Sequence, residues 1–534
     1  MQKKEISLIY PESKLSLARS GEIGRVNITD EVLGELGLNS VIDLKSSRLC
    51  DFFTADKETI EYRQSVFKDL LENDELCDLL VRVSPILSDV AELRRLSFDT
   101  DASDTYLYSI TEIELYVSCM ELLSEGFKGL KDKLKSEALI QLCQIVTELT
   151  ESEYYKDLNE RLKELTSRVR EVKSVTIGVN LDGRLKPESA GVLSVNNEYF
   201  KSGELIQKIL RLDFKSDEYT CIASLLPFKK GQSDNQQSAL ANAFNNALNT
   251  VFKSSMRSWK KVVQSYVLEN ADFLIKLMPE IEFVVKGTEL IKTLKNSGNP
   301  LCFPCVQPME EKVFSTKEMY NPVVATKINE DMVKNDFAFD SEGMFYVLSG
   351  PNRGGKSVIT CAVGLTFALC QLGLCVPCED ATISPVDGIF THFPTGAEDT
   401  IDKGRLGEEC ARLDEIFDYV TEYSLVLLDE SLSSTGSYEA SYIASEVLRG
   451  ISMSKCRGIF STHLHELTAM LDEINEKSVK EGGARIDTLV AGMEEGQRSF
   501  KIKRQKPDGR SYARDIADKY GISYERLIKK IQKK

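Results

Sequence analysis

Residues 344–372, "MFYVLSGPNRGGKSVITCAVGLTFALCQL", leave this chain few folds to choose from. An apolar run, "MFYVL", enters a glycine-rich turn and leaves it as a long apolar stretch without proline, which is the order strand, loop, helix. Gly350, Gly355, Lys356 and Ser357 fit the pattern G-x-x-x-x-G-K-[ST]. In that order the loop amides and the helix N-terminus point at one spot, where they bind phosphate. The residues assigned to the cradle are Gly350, Pro351, Asn352, Arg353, Gly354, Gly355, Lys356, Ser357 and Val358. Lys356 would pair the β- and γ-phosphates, and the Ser357 hydroxyl would hold Mg²⁺. A glycine turn before a buried helix is the plainer reading, and the neighbouring motifs weigh against it.

Two later strands end in chemistry that suits such a site. "SLVLLDE" delivers Asp429 and Glu430 after four consecutive aliphatics. Asp429 fits the Mg²⁺ shell and Glu430 fits a base that polarises the attacking water. An Asp-Glu pair in a solvated turn is common, but rarely follows such a run. "RGIFSTHLHEL" presents His463 just past its end, as a γ-phosphate sensor or a water-orienting group. The chain has three histidines, and His392 and His465 read as structural.

At 534 residues the chain is too long for one ordinary core. No proline falls between Pro85 and Pro187, and there Ile113, Tyr116, Met120 and Leu123, then Leu139, Leu142, Ile145 and Leu149, recur at helical steps. Long strut-like helices are expected. Val175, Ile177, Val179 and Leu181 then alternate before Asp182-Gly183, which predicts a small strand-rich insertion. Helical periodicity returns from about Gln236 to Leu294, and "NSGNP" marks a boundary beyond which strands and helices alternate. The expected organisation is a short N-terminal segment at 1–45 and a helical lever or core domain at 46–310 with its insertion at 172–205. A P-loop domain at 311–500 and a basic helical segment at 501–534 follow.

Composition narrows the setting. Charged residues make up 28%, no apolar run reaches bilayer length, and the first residues hold no signal-like core, so a cytoplasmic protein is expected, with no membrane partner. Thirteen cysteines in a large chain read as reduced thiols. The pairs Cys302/Cys305 and Cys375/Cys378 have zinc-like spacing, but the phosphate loop and a long helix separate them. A net charge of −16 argues against a chain coated with nucleic-acid-binding charge. Charge is uneven: Lys501–Lys534 holds twelve Lys/Arg against four Asp/Glu, either a solvated tail or a surface for an acidic partner.

Taken together, "GPNRGGKS", "SLVLLDE", "STHLHEL" and the upstream "MVKND" resemble the MutS family of DNA mismatch-repair and recombination ATPases. "FTHFPTGAEDTIDKGR" resembles the segment leading into that family's signature helix, "PDGRSYARDIADKYGIS" its C-terminal helix-turn-helix region, and "YRQSVFKDLLENDEL" the start of its lever domain. The resemblance is strong over about 320–534 and organisational over the levers. It implies a multidomain fold: a long α-helical lever or core domain with a small β-rich insertion, then an α/β P-loop ABC-type ATPase domain and a C-terminal helical dimerisation segment. It also implies ATP and Mg²⁺ as ligands, a homodimer or heterodimer with composite ATPase sites, and levers that close around mismatched, branched or junction DNA. A repair or recombination protein is a further implied partner.

Several positions depart from the family pattern. The stretch 1–45 is too short for the family's mismatch-reading domain with its Phe-x-Glu motif, so binding without direct mismatch reading is expected. Arg353 stands where the family has Met and Val358 where it has Thr, and neither change removes a ligand. The signature Gly-Arg-Ser-Thr-Phe becomes Gly404-Arg405-Leu406-Gly407-Glu408, and Leu406 has no side-chain donor for a partner's γ-phosphate. Backbone amides at Leu406 and Gly407 remain, while Glu408 or Glu409 would oppose phosphate if turned inward. Met332 replaces an adenine-stacking aromatic, and "SLSSTGSYEA" lacks the family's Gly-Arg-Gly while keeping Thr435 and Tyr438. The acidic bulk charge and altered signature keep a second reading open, a nucleotide-switched scaffold for a protein partner; a transporter ATPase has no place for the levers.

Overall fold

The computed structural model describes residues 6–21, 23–99, 106–170, 174–181, 183, 187–196, 198, 272–328, 332–340, 343–351, 354–394, 405–494, 497–506, 522 and 524–532. The described residues group into two compact units: one draws on 78–134 and 140–278, the other on Ser7–Cys77, Lys135–Leu139 and Pro279–Lys534. Ser7–Cys77 and Pro279–Lys534 thus share a unit.

Ahead of the long helices the chain forms α1 (Leu15–Ser20), α2 (Asp30–Leu36) and α3 (Lys57–Glu72). Four helices follow: α4 (Asp74–Asp99), α5 (Tyr106–Lys128), α6 (Glu137–Glu151) and α7 (Glu153–Arg170). Their apolar stripes explain their packing within the first unit. Leu79, Val83, Leu87 and Val90 of α4 and Ile113, Tyr116, Met120, Leu123 and Phe127 of α5 are all buried. Tyr155 of α7 lays its ring in that core and donates from Oη to the Val117 carbonyl at 3.2 Å, which satisfies its one polar atom. Beyond α7, β1 (Ser174–Leu181) and β2 (Pro187–Asn196) pair antiparallel, with Val175 opposite Val195 and Val179 opposite Ala190. Of the helical stretch expected from Gln236, residues up to 271 lie outside those described; α8 (Asp272–Asn296) covers the rest.

The second unit holds two sheets. β3 (Cys305–Val306), β4 (Phe314–Met319), β5 (Asn335–Phe339) and β7 (Asp380–Ile383) form one, in the order β3-β7-β4-β5. The other runs β12-β11-β6-β10-β9-β8, from β6 (Phe345–Ser349), β8 (Ile389–His392), β9 (Leu425–Asp429), β10 (Arg457–Ser461), β11 (Ile486–Glu494) and β12 (Gln497–Arg504). Only β12 is antiparallel in that sheet. Helices α9 (Pro322–Ala325), α10 (Lys356–Gln371), α11 (Arg405–Tyr419), α12 (Ser437–Ser454) and α13 (His465–Lys480) connect the strands, and α14 (Tyr524–Gln532) closes the chain. β6, β9 and β10 are buried at every residue, which is why they read as continuous apolar runs rather than alternating ones. Between the sheets, Phe314 stacks on Phe367 of α10 at 4.4 Å, with Phe337, Phe339 and Tyr346 around them.

The N-terminal segment is built into this unit. Asn27 donates its N–H to the Asp387 carbonyl at 2.7 Å and accepts from the Ile389 N–H at 3.0 Å, a short parallel bridge at the edge next to β8. Arg412 of α11 reaches Glu35 of α2 at 2.6 Å and Glu31 at 3.4 Å. Arg63 of α3 is fully buried; it donates to the Ile9 carbonyl at 3.0 Å and to the Phe52 carbonyl, and lies over the Tyr10 ring. On α8, Glu280 accepts from Ser7 Oγ and the Leu8 N–H, while Phe283 stacks on Phe52 at 4.5 Å. Residues hundreds of positions apart thus share one core.

Among the described residues no helix is long and apolar enough to cross a membrane, and no group of three or more His, Cys, Asp or Glu could hold a metal ion. Replacing Phe283 with Ala removes a fully buried ring that joins the N-terminal segment to α8. The expected loss is about 3–5 kcal/mol of unfolding free energy. A denaturant titration measures it, and an unchanged midpoint would mean that the joint adds no stability.

Candidate functional site

Strand register assembles the site. Leu348 of β6 lies opposite Ser461 of β10, and Ser461 lies opposite Asp429 of β9, so the three strands end flush at one edge of the sheet. β10 therefore stands between the loop after β6 and the carboxylates after β9. Ligands of open parallel sheets collect at such carboxyl edges.

The loop depends on glycine at both ends. Gly350 has φ +146° and Gly355 φ +87°, and a Cβ on Gly350 would meet the Ala491 methyl at 2.7 Å. Gly355 caps α10, whose first residue is Lys356. The Lys356 ammonium is mostly buried; it donates to the Gly350 carbonyl at 3.2 Å and stands 3.1 Å from His463 Nε2 and 3.4 Å from Nδ1. Burial pushes its pKa below the ordinary lysine value, and Glu430 and Asp429 pull it back up. Asn352 and Arg353 lie outside the described residues. Pro351 is buried, Gly354 sits against the Pro351 carbonyl, and Val358 is exposed at the mouth.

Asp429 offers what a hard cation needs. It is buried, and its Oδ1 has no hydrogen-bond partner among the described residues. Burial raises its pKa, and the Ser461 and Ser357 hydroxyls beside it lower it again. An orphaned carboxylate oxygen next to the Ser357 hydroxyl fits Mg²⁺, which takes oxygen ligands and keeps most of its water.

Glu430 projects from a strained backbone. Its φ is +48° without being glycine, and its N–H donates to the Ser461 carbonyl at 2.8 Å. His463 Nε2 lies 2.8 Å from Glu430 Oε1. A neutral ring with its proton on Nε2 donates to Glu430, with the Lys356 ammonium beside both ring nitrogens. Burial first, then the charge of Lys356, hold the His463 pKa below its ordinary 6.5, against the pull of Glu430.

Beside these groups opens a cavity of about 490 Å³ lined by Tyr320, Ile328, Met332, Val333 and Phe500, with Gly354–Ser357 and Glu430 at its phosphate end. For the base-contacting end, sequence reading singled out Met332. Phe500 comes from β12, and its carbonyl accepts from Asn335 Nδ2 at 3.2 Å while Asn335 Oδ1 accepts from the Ile502 N–H at 2.8 Å. Asn321 likewise donates to the Val358 carbonyl and caps α9. Asn335 falls within "MVKND", but no motif announces Asn321 or Phe500; Phe500 reaches the site because the β11–β12 hairpin adds to the free side of β6.

Further along, Gly404 and residues 395–403 lie outside those described, and nothing is described of the Arg405 side chain. Leu406 packs on the core cluster containing Leu413, Ile416 and Phe460, so its side chain serves α11's own seat. Gly407 is exposed, and Glu409 Oε2 accepts from Ser434 Oγ at 2.9 Å. Thr435 donates to Glu439 at 2.6 Å, and Tyr438 stands 84% exposed. Residues 507–521, most of the segment likened to a helix-turn-helix, are outside the described set.

Two family models match the chain: one described as MutS domain V over residues 346–526, and one described as MutS2 N-terminal domain over residues 55–297. The chain belongs to the MutS family. Its MutS domain V holds the flush strand edge described above, so the helical elements and mixed sheets now have a family setting. Among similar proteins, the DNA mismatch repair protein MutS of Clostridioides difficile (strain 630) is 24% identical over 99% of this chain and 53% of its own length. The protein of the same name from Thermotoga sp. (strain RQ2) is 25% identical over 84% of this chain and 53% of its own. DNA mismatch repair protein Msh6 of Gallus gallus is 33% identical over 32% of this chain and 14% of its own. The chain thus spans about half of these relatives' length or less.

With three histidines in the chain, the His463 imidazole can be followed by NMR. Its midpoint should lie below 6.5; Lys356→Ala removes a repelling charge and should move it up, and Glu430→Gln removes an attracting one and should move it further down. Movement in the opposite directions would mean that these groups do not face one another.

Proposed function

We propose that this MutS family member binds and hydrolyses ATP as a dimer and uses the cycle to clamp DNA at mismatched, branched or junction sites. The observation that carries the ATPase part is the cluster of Lys356, Ser357, Asp429, Glu430 and His463 at one strand edge beside a cavity of nucleotide size. The apolar part of the cavity takes the base against Phe500 and Met332. The loop amides and Lys356 take the phosphates, whose arrival brings further negative charge to the buried ammonium. Ser357 and Asp429 would hold Mg²⁺, which supplies charge neutralisation to the β- and γ-oxygens.

Glu430, steadied by His463, would hold a water beside the γ-phosphate. As that water's oxygen bonds to the γ-phosphorus its proton passes to the Glu430 carboxylate, and the bond to the β–γ bridging oxygen breaks, leaving ADP and phosphate. Backbone amides at Leu406 and Gly407 would approach the γ-phosphate of a second copy. With a leucine in the serine's place, turnover is slow.

The DNA part rests on the family and on the long helices, together with the basic segment Lys501–Lys534. The acidic remainder favours the second reading, a nucleotide-switched scaffold for a protein partner.

Lys356→Ala should weaken ATP binding at least a hundredfold by isothermal titration. Glu430→Gln should keep ATP affinity within a few fold while kcat falls about 10²–10⁴-fold. Wild-type affinity in the first variant or wild-type kcat in the second would remove that residue from its role. A gel-shift series with duplex, mismatched, forked and four-way DNA at low salt tests the clamp. Absence of binding with and without ATP, alongside nucleotide-dependent capture of a protein, would favour the scaffold.

A further inference from the structure

We propose that His392 is a positioning residue that ties the first turns of α11 to the turn carrying Glu430, so that the placement of the signature helix sets the placement of the base. This rests on the ATPase reading above. His392 ends β8 and is buried, 2% exposed. Its Nδ1 lies 2.7 Å from Ser431 Oγ, and its Nε2 lies 3.2 Å from the Glu409 carbonyl of α11. A carbonyl only accepts, so the ring proton sits on Nε2 and Nδ1, the nearer of two acceptors, offers its lone pair to the Ser431 hydroxyl, whose oxygen also lies 3.2 Å from the His392 carbonyl. Burial and then the charge of Arg412 push the His392 pKa down to about 4, and a neutral ring holds this one tautomer.

What lifts His392 above an ordinary buried histidine is where its two partners lie. Ser431 falls between Glu430 and Leu432, whose φ values of +48° and +64° are both left-handed without glycine. Such a backbone persists only where its surroundings hold it, and the grip on the Ser431 side chain is one such hold. Glu409 is on the helix that begins with the signature residues, and its carboxylate is bound a second time to the same turn through Ser434 Oγ. Arg412, one helical turn on, donates to the Phe393 carbonyl at 3.2 Å and to Glu35, so α11 is seated on β8's end from both sides. Movement of α11 therefore pulls on Ser431 through one imidazole, and Ser431 adjoins the base.

The test uses His392→Ala and the gentler Ser431→Ala, which deletes only a hydroxyl, together with the double variant. Amide hydrogen exchange on the nucleotide-free full chain should rise both in residues 405–412 and in residues 430–434 in each single variant, with 356–371 unchanged. In turnover assays each single variant should lower kcat about tenfold while a fluorescent ATP analogue binds within twofold of wild type, and the double should be no slower than the slower single. Exchange that rises in only one of the two segments, or rate losses that multiply in the double variant, would overturn the proposal. Should the wild-type chain show no ATP turnover, the ATPase reading fails by itself, and the exchange pattern still decides whether His392 couples the two elements.

Discussion

The parallel pairing of β6, β10 and β9 fixes everything of chemical interest in this chain. Because Leu348, Ser461 and Asp429 stand in one row, a loop, a histidine and two carboxylates from distant parts of the sequence arrive at a common edge. The cost is electrostatic. Lys356 and Asp429 are both largely removed from water, each moved away from its charged form by burial and restored in part by the other. Two opposite charges held near each other without full hydrogen bonding make a site that gains by admitting an anion and a cation together. The strained Glu430 backbone belongs to the same arrangement, since it turns the chain out of β9 in time to leave the carboxylate at the mouth, 2.8 Å from His463.

How much of this could be read beforehand follows from locality. The strand, loop and helix around Gly350 write their order into neighbouring residues, and so do the aliphatic run before Asp429 and the stripes of α4 and α5. The β1–β2 pair showed in the alternation of Val175, Ile177, Val179 and Leu181. Phe500 did not show, because its place beside Asn335 depends on which edge of β6 a hairpin joins, and no local pattern encodes sheet order. The role of Leu406 was equally hidden. Sequence marks it as a lost donor, while the packing against Leu413 and Ile416 explains why an aliphatic is retained there.

His392 illustrates a different limit. Sequence takes it with His465 as structural, and burial alone would file it with the core. Its interest comes from what its two nitrogens join, a helix carbonyl on one side and a serine hydroxyl on the other.

The N-terminal segment has a consequence for how the molecule is made. Glu280 holds Ser7 across 273 positions of sequence and Arg412 holds Glu35 across 377, so the contacts that join the N-terminal segment to the rest of the nucleotide-loop unit wait for much of the chain to be synthesised. At ribosomal rates of about 5–20 residues per second, residues 7–77 spend about 10 s or more without their partners. Their apolar face, with Leu33, Phe52 and Phe67 among it, must be shielded over that interval. Contacts of such separation also slow folding, so newly made chains are a natural client for chaperones, and fragments cut between the two ends should associate in solution.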